Sequence, residues 1–180
     1  MTPDLHQLAD LRSAAAAAGW ILPIQPRYVD LIRSGEKNCE LRTYDTQIRP
    51  DSWVLAYTSQ PSSAIDLALL IGAVEQHAPD RLWRDPGPHR LGVSPEAWQR
   101  AFTSVPVVWV HTIASVVELA PIGRAELTDR WPGWRPPQRA TRRRQDWPSP
   151  AAWLEPAPTR PAPIRPVQLL LPIDFSTPAD

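Results

Sequence analysis

The sequence predicts an α+β protein: a small mixed β-barrel with two or three short helices, followed by a C-terminal extension rich in Pro, Arg and Trp. Two observations predict the barrel. Apolar, β-branched segments of strand length recur through the first two thirds of the chain, and short helical patterns bounded by Pro and Gly separate them. A third observation predicts the extension, because twelve of the 23 prolines lie from Pro132 onward, where regular structure is hard to build.

Five segments have the composition and alternation of strands. They are residues 21–25, 38–44, 52–59, 65–74 and 105–119. The fourth can also form a strand pair bent at Gly72. In the second segment, alternation places Glu40 and Arg42 on one face and Cys39 on the other, where we expect it to be buried. Strands of this number and length are typical of a small curled sheet or barrel.

Three segments have helical patterns: residues 4–18, 26–34 and 94–102. Pro26 suits the first position of the second helix, where its missing N–H costs nothing, and Gly35 suits the left-handed residue at its end. Ser94 is a side-chain cap for the third helix. Residues 78–93 contain three prolines and two glycines and are predicted to form a loop.

These patterns divide the chain into four parts. They are an N-terminal helix at residues 1–19, the barrel at 20–123, a basic Trp-rich extension at 124–155, and a Pro-rich linker with a terminal apolar peptide at 156–180. The formal net charge is zero, but residues 124–165 hold nine arginines against four acidic residues. A neutral protein with such a basic strip can still bind a polyanion through it.

Composition argues against several kinds of site. A single cysteine, Cys39, excludes an internal disulfide framework and a Cys-based metal centre. The histidines at positions 6, 77, 89 and 111 show no ligand spacing, so we expect no metal ion and no cofactor.

The apolar run at residues 14–24 is too short to span a bilayer and lacks the positive leader of a signal peptide. We therefore expect a cytoplasmic protein without a membrane partner.

A charged run at the second predicted strand is the clearest candidate site. It reads Gly35-Glu-Lys-Asn-Cys-Glu-Leu-Arg42 and contains Lys37, the one lysine among 19 basic residues. Glu40 and Arg42 share a strand face, where a carboxylate can accept from the exocyclic amine of a base and a guanidinium can bind an oxyanion. The alternative is that Lys37, Glu40 and Arg42 form a surface ion network that does little beyond fixing the strand.

This motif, together with the strand containing Val54-Leu-Ala-Tyr57, resembles the hallmark G-x-K-x-x-E-x-R of the ASCH domain family. The segment from His111 to Ile122 resembles the last strand of such domains, so the resemblance covers residues 20–123. It implies a PUA-like barrel that binds RNA, another nucleic acid or a modified nucleoside. The expected ligand-binding residues are Lys37, Glu40 and Arg42, with Tyr28 and Tyr57 as stacking partners or core residues.

An enzyme of the same fold is the alternative function. A few members of the family are enzymes, and one small bacterial member hydrolyses an acetylated cytidine with the motif lysine and a threonine at the position equivalent to Glu40. A hydrolase or ribonuclease built on this chain would therefore use Lys37 and Glu40 as its catalytic residues, without that threonine nucleophile.

The C-terminal part suggests two further contacts. Arg142, Arg143 and Arg144 follow a stretch of interleaved Trp and Arg, a pattern that single-strand binders use for stacking and phosphate contact. Alternatively, Trp131 and Trp134 fold back onto the barrel while the arginines stay solvated. Gln168-Leu-Leu-Leu-Pro-Ile173 looks like the peptide by which bacterial replication and repair proteins dock onto the sliding clamp, which would make the chain an adaptor. A terminal strand that completes the barrel is the competing interpretation.

Overall fold

The computed structural model describes residue 13 and residues 16–149. Over this part the chain forms six strands and four helices. The strands are β1 (Trp20–Ile24), β2 (Cys39–Arg42), β3 (Ser52–Thr58), β4 (Ala64–His77), β5 (Val108–Gly123) and β6 (Thr141–Arg142). The helices are α1 (Pro26–Ser34), α2 (Pro79–Arg84), α3 (Pro95–Phe102) and α4 (Arg124–Arg130).

All six strands belong to one sheet with the order β2-β5-β4-β3-β1-β6. The β1–β3 pair is parallel, and the other four pairs are antiparallel. The sheet curls into a half-barrel whose edges are β2 and β6. The predicted α+β class and the curled, barrel-like sheet are therefore confirmed.

Two of the helices begin and end where local sequence predicts. Pro26 occupies the first turn of α1, and Gly35 ends it in the left-handed conformation with a φ of 76°. The hydroxyl of Ser94 caps α3 by accepting from the backbone N–H of Ala97 at 3.3 Å. These two helix boundaries are confirmed because each depends on residues within one turn of the chain.

The other two helices were not predicted. α2 lies inside the segment predicted to be a loop, and that prediction is wrong for Pro79–Arg84. Pro79 begins this helix, and Leu82 anchors it through a side chain that is 1% exposed. α4 follows β5 without a connecting turn and buries Leu127. Both are so short that one buried leucine, rather than a helical repeat, holds each of them in place.

The segment after Gly123 packs against the sheet. Trp131, Trp134 and Trp147 are buried in one cluster with core residues of β1, β3 and β4. The rings of Trp131 and Trp147 are stacked, with centroids 4.8 Å apart and planes 8° apart. Farther along, β6 pairs with the start of β1, where Arg142 lies opposite Trp20. The interpretation in which Trp131 and Trp134 fold back onto the barrel is therefore confirmed.

Several predictions fall outside the described residues. They concern most of the helix at 4–18, the Pro-rich linker at 156–166, and the peptide Gln168–Ile173. Within the part of the chain that is described, no helix has the length and apolar character needed to cross a membrane.

The tryptophan cluster gives a testable prediction about stability. Trp131 is completely buried, so we expect Trp131→Ala to lower the free energy of unfolding by about 3–5 kcal/mol, since the vacated volume cannot refill. Trp83 is the matched control because 37% of its surface is exposed. Trp83→Ala should cost less than Trp131→Ala, because it removes the stacking on Trp98, at a centroid distance of 4.9 Å, from a side chain that is already partly in water. Urea denaturation of both variants measures the difference. Equal losses would show that the extension is not part of the cooperative core.

Candidate functional site

A cleft of about 840 Å³ opens between α1, β2, α3 and the extension near residues 136–138. The five residues predicted to bind a ligand all line it: Tyr28, Lys37, Glu40, Arg42 and Tyr57. They reach the cleft from three separate elements, α1, β3 and the segment 37–42. Lys37, Glu40 and Arg42 are neighbours in the sequence, and the fold adds Tyr28 and Tyr57 from other elements.

Lys37 is buried in the wall of this cleft, with 3% of its surface exposed. The left-handed turn at Gly35 folds the chain back after α1, so that the Lys37 backbone N–H donates to Leu31 O at 2.9 Å. Its Nζ donates to the carbonyl of Leu91 and lies 5.2 Å from the centre of the Tyr28 ring. No carboxylate of the described residues lies within 4.0 Å of Nζ. The ammonium therefore retains donors for a ligand.

Glu40 and Arg42 form a second, separate pair on the face of β2 that turns toward the cleft. Glu40 Oε1 lies 3.0 Å from an Arg42 nitrogen, and Arg42 also donates to Pro23 O at 2.6 Å. Glu40 is 6% exposed, and Arg42 Nε is buried without a partner in the described part of the chain. The interpretation as a surface ion network is therefore wrong. Lys37 and Glu40 are buried, and Lys37 does not join the ion pair.

Burial shifts the pKa of two ionisable groups beside the cleft in the direction that favours the neutral form. Burial raises the pKa of the Cys39 thiol to about 11, so the thiol does not supply a nucleophile at neutral pH. His111 lies directly opposite Glu40 in the β2–β5 pair, and its Nε2 is 2.7 Å from the hydroxyl of Thr46. Burial lowers the pKa of His111, although the nearby Glu40 carboxylate acts in the opposite direction. Sequence reasoning missed this neighbour of Glu40 because the two strands are far apart along the chain.

The mouth of the cleft carries three arginines that sequence reasoning also missed: Arg27, Arg100 and Arg124. All three are exposed. With Lys37 and Arg42 they give the lining five basic side chains against the single carboxylate of Glu40. No signal in the sequence distinguishes these arginines, because Arg supplies nearly all the basic residues of the chain. A concave surface with this charge attracts anions.

The arginines predicted to contact nucleic acid lie elsewhere, at the end of β1 opposite to the cleft. Arg143 donates to the carbonyls of Ala18 and Trp147, each at 3.1 Å. Arg144 forms a two-pronged ion pair with Asp146, which raises the pKa of the guanidinium and lowers that of the carboxyl. Arg142 is exposed, and its guanidinium lies 5.6 Å from the centre of the Trp20 ring. The structure thus brings these arginines together with each other but not with Lys37.

One group of side chains away from the cleft has the composition of a metal site. Glu75, His77 and His89 each offer a ligand atom, and these atoms all lie within 4.8 Å of one another. The sequence spacing of the histidines did not indicate this group, because the fold brings His77 and His89 to the same carboxylate from separate segments. Hydrogen bonding from His77, with a further contribution from His89, lowers the pKa of Glu75.

The packing around Lys37 gives a second prediction. Gly92 has a φ of +61°, and a Cβ placed on it would lie 3.0 Å from Lys37 Cβ and 3.2 Å from a methyl group of Leu31. Gly92→Ala should therefore cost the strain of a left-handed alanine, about 1–3 kcal/mol, and also displace the lysine stem.

Gly87→Ala is the control for this prediction, because Gly87 has a φ of +56° and a Cβ added to it would meet no atom within 4 Å. Gly87→Ala should lower the free energy of unfolding through the backbone strain alone, with no displacement of Lys37. Denaturation measures the cost of each variant, and ligand affinity reports whether Lys37 has moved. The same loss of affinity in both variants would contradict the assigned packing.

The comparisons with known proteins agree with this architecture. The ASCH domain family model matches residues 22–136. Among solved structures, ASCH from Zymomonas mobilis is similar in fold, with a TM-score of 0.64 and 19% identity, over 70% of this chain and 87% of that one. Two single-residue mutants of the same protein match with the same TM-score at 18% identity, over 70% of this chain and 90% and 88% of theirs. A search of the curated proteins found no match. Since the family model spans more than half of the sequence, this chain belongs to the ASCH domain family.

Proposed function

We propose that this protein binds single-stranded RNA and seats one nucleotide in the cleft lined by Lys37, Glu40 and Arg42. The family is generally linked to RNA binding. The observation that carries the proposal for this chain is the buried ammonium of Lys37, which has no carboxylate partner among the described residues. Burying a charge without a counter-ion is costly, and an anionic ligand would remove that cost.

The charges around Lys37 suit a polyanion. Five basic side chains and one carboxylate line the cleft, and the three arginines at its mouth are exposed. Phosphates of a bound strand would contact the exposed arginines, whereas Lys37 would contact the phosphate or another anionic group of the seated nucleotide. The volume of about 840 Å³ is that of a small-molecule site and excludes a duplex from the interior.

The polar groups inside the cleft can recognise a base. Within the described part of the chain, only Arg42 bonds to the Glu40 carboxylate, so lone pairs remain for an amine of the ligand. Tyr28 is half-buried and can stack on a base. Tyr57 differs because it is 3% exposed and its ring contacts Trp134 edge-on at 5.7 Å. We therefore assign stacking to Tyr28 and a supporting role in the wall to Tyr57. The same contacts would serve a free modified nucleoside.

The salt dependence of RNA binding tests the contribution of the arginines. Each phosphate contact on a single strand contributes about 0.7 to the slope of log affinity against log salt. Replacing Arg27, Arg100 and Arg124 together with Gln should therefore reduce the slope by about two units. Fluorescence anisotropy with a labelled single-stranded RNA measures it.

Two further variants serve as controls in that experiment. Replacing Arg49, Arg81 and Arg84 with Gln removes the same charge outside the cleft and should leave the slope unchanged. Replacing Arg142, Arg143 and Arg144 should reduce it by at most about 0.7, because Arg143 and Arg144 are bonded within the chain. If all three triple variants reduce the salt slope by the same amount, the RNA binds nonspecifically to the charged surface and not in the cleft.

Lys37→Met tests the seat of the nucleotide. The methionine keeps the apolar stem and removes the buried charge, which offsets the loss of the hydrogen bond to Leu91 O, so the free energy of unfolding should change by no more than about 1–3 kcal/mol. Affinity for RNA should fall by about tenfold or more, the value of one charge-assisted hydrogen bond. If Lys37→Met leaves the affinity unchanged, while replacing Arg27, Arg100 and Arg124 still reduces the salt slope, the RNA binds at the mouth of the cleft and no nucleotide enters it.

The same samples test the hydrolase alternative. In that alternative, cleavage of RNA or hydrolysis of an acetylated cytidine would require Lys37 and Glu40. Turnover by the unmodified chain that is lost in both Lys37→Met and Glu40→Gln would establish an enzyme. Binding without turnover would support the proposal made above.

The adaptor function is a second proposal, and it stands on the sequence of Gln168–Ile173 alone. Leu169, Leu171 and Ile173 would enter an apolar groove of a bacterial sliding clamp, with Gln168 as the polar anchor. We expect an immobilised clamp to retain the full chain weakly, in the micromolar range typical of short peptides that order on binding. A Gln168→Ala, Leu171→Ala variant should not be retained. Equal retention of both chains would contradict the adaptor function.

A further inference from the structure

We propose that Glu75, His77 and His89 bind one divalent transition-metal ion of the Zn²⁺ class, and that this ion fastens the loop that positions Lys37. We call these three residues the Glu-His-His cluster. None of them lines the cleft, so the proposal stands apart from the proposed RNA binding. It does not depend on the ASCH assignment either, because the cluster lies outside the motif Gly35–Arg42.

The three ligand atoms lie close together, with Glu75 between the two histidines. Glu75 Oε2 lies 3.1 Å from His77 Nε2 and 3.1 Å from His89 Nε2. In a tetrahedral site with metal–ligand distances of about 2.0–2.1 Å, neighbouring ligand atoms are about 3.3 Å apart. The two imidazole rings meet at 77° with centroids 5.9 Å apart, so they approach edge-on rather than in a stack. All three ligand atoms lie within 4.8 Å of one another, so a bound ion would draw the two imidazole nitrogens toward the tetrahedral spacing.

The fold, not chance rotation of surface side chains, sets this geometry. Glu75 and His77 are two residues apart on β4 and therefore point to the same face. His89 arrives from the loop after α2, where its backbone N–H donates to Pro86 O at 3.1 Å. Its side chain is 6% exposed, so its ring is held in place by packing. His89 Nδ1 is buried without a partner in the described part of the chain, so binding an ion through Nε2 would place the ring proton on a nitrogen that has no protein acceptor.

The donor set selects the kind of ion. Two imidazoles and a carboxylate suit Zn²⁺, Co²⁺ or Ni²⁺, whereas Mg²⁺ and Ca²⁺ require six or more oxygen ligands. Cys39, the one thiol of the chain, is buried in another place and bonds to Arg90 O. Side chains of Glu75 and His77 are 48% and 29% exposed, which gives an ion access from solvent. Three protein ligands leave a fourth position for water.

Binding at this cluster would also act on the cleft. Residues next to His89 are tied to the start of β2, since Arg90 N donates to Asn38 Oδ1 at 2.6 Å and Asn38 Nδ2 donates to Pro88 O at 3.1 Å. The carbonyl of Leu91 accepts from Lys37 Nζ. An ion at His89 would attach the opposite side of this loop to β4. The loop at residues 88–91 would then be attached both to β4, through the ion, and to Asn38, through hydrogen bonds. The Leu91 carbonyl, which accepts from Lys37 Nζ, would be held in place with it.

Titration of the metal-free full chain with ZnCl₂ tests the proposal. The chain must be prepared without a polyhistidine tag and stripped with a chelator. Calorimetry should show one Zn²⁺ per chain and no binding of MgCl₂. The affinity for Zn²⁺ should fall at least tenfold in His77→Ala and in Glu75→Gln, both of which replace partly exposed groups and should fold normally. Co²⁺ should give the intense visible absorption of a tetrahedral site.

Two variants are matched controls. Asp80→Asn and Asp85→Asn each remove an exposed carboxylate that does not belong to the cluster. Both should bind Zn²⁺ like the unmodified chain. Absence of saturable Zn²⁺ binding, or equal affinity in His77→Ala, would overturn the site. A melting temperature that Zn²⁺ raises in the unmodified chain but not in His77→Ala supports the fastening of the loop, and no rise in the unmodified chain would overturn it.

Discussion

The antiparallel pairing of β4 with β5 is the constraint on which the rest of the structure depends. It runs from Ala64 opposite Gly123 to His77 opposite Val108, and every other strand attaches to one side or the other of this pair. β5 carries β2, and with it Glu40 and Arg42. β4 carries β3 on its other edge and ends at His77. The position of both candidate sites is therefore set by one ladder of hydrogen bonds.

Irregularities within this ladder give the sheet its shape. The register shifts between Ile65 and Leu67 and again on both sides of Ile71. Such bulges increase the local twist and bend the strand that contains them. Gly72 lies at the bend, where a Cβ would come within 3.0 Å of Ala114 Cβ, so the two strands approach more closely than side chains allow. A pair of long strands bent in this way curls the sheet.

The extent to which the sequence predicts this structure depends on how local each feature is. Pro26 and Gly35 fix the ends of α1 through their own backbone geometry, and alternation is enough to place Glu40 and Arg42 on one face. The burial of Lys37 was not predictable, because it depends on Leu91 O, in a loop 54 residues later in the chain. The pairing of His89 with His77 was hidden for the same reason, since an unpredicted helix stands between them. Both the burial of Lys37 and the approach of His89 to His77 result from long-range packing, which leaves no periodic signal in the sequence.

The short strand β6 has a consequence for self-association. A half-barrel has two edges with unpaired backbone groups, and such edges are templates for pairing with another copy of the chain. Here β6 covers the first two residues of β1, Trp20 and Ile21, and Arg143 N extends that cover by donating to Gly19 O at 2.8 Å. The loop around Arg90 covers the start of β2 through Asn38. A chain shortened at Gly123 would lose β6 and the indoles of Trp131 and Trp147, leaving a bare strand edge beside exposed apolar surface, which is the combination that promotes aggregation. The Arg- and Trp-rich segment therefore shields the sheet edge from other copies of the chain as well as stabilising the core.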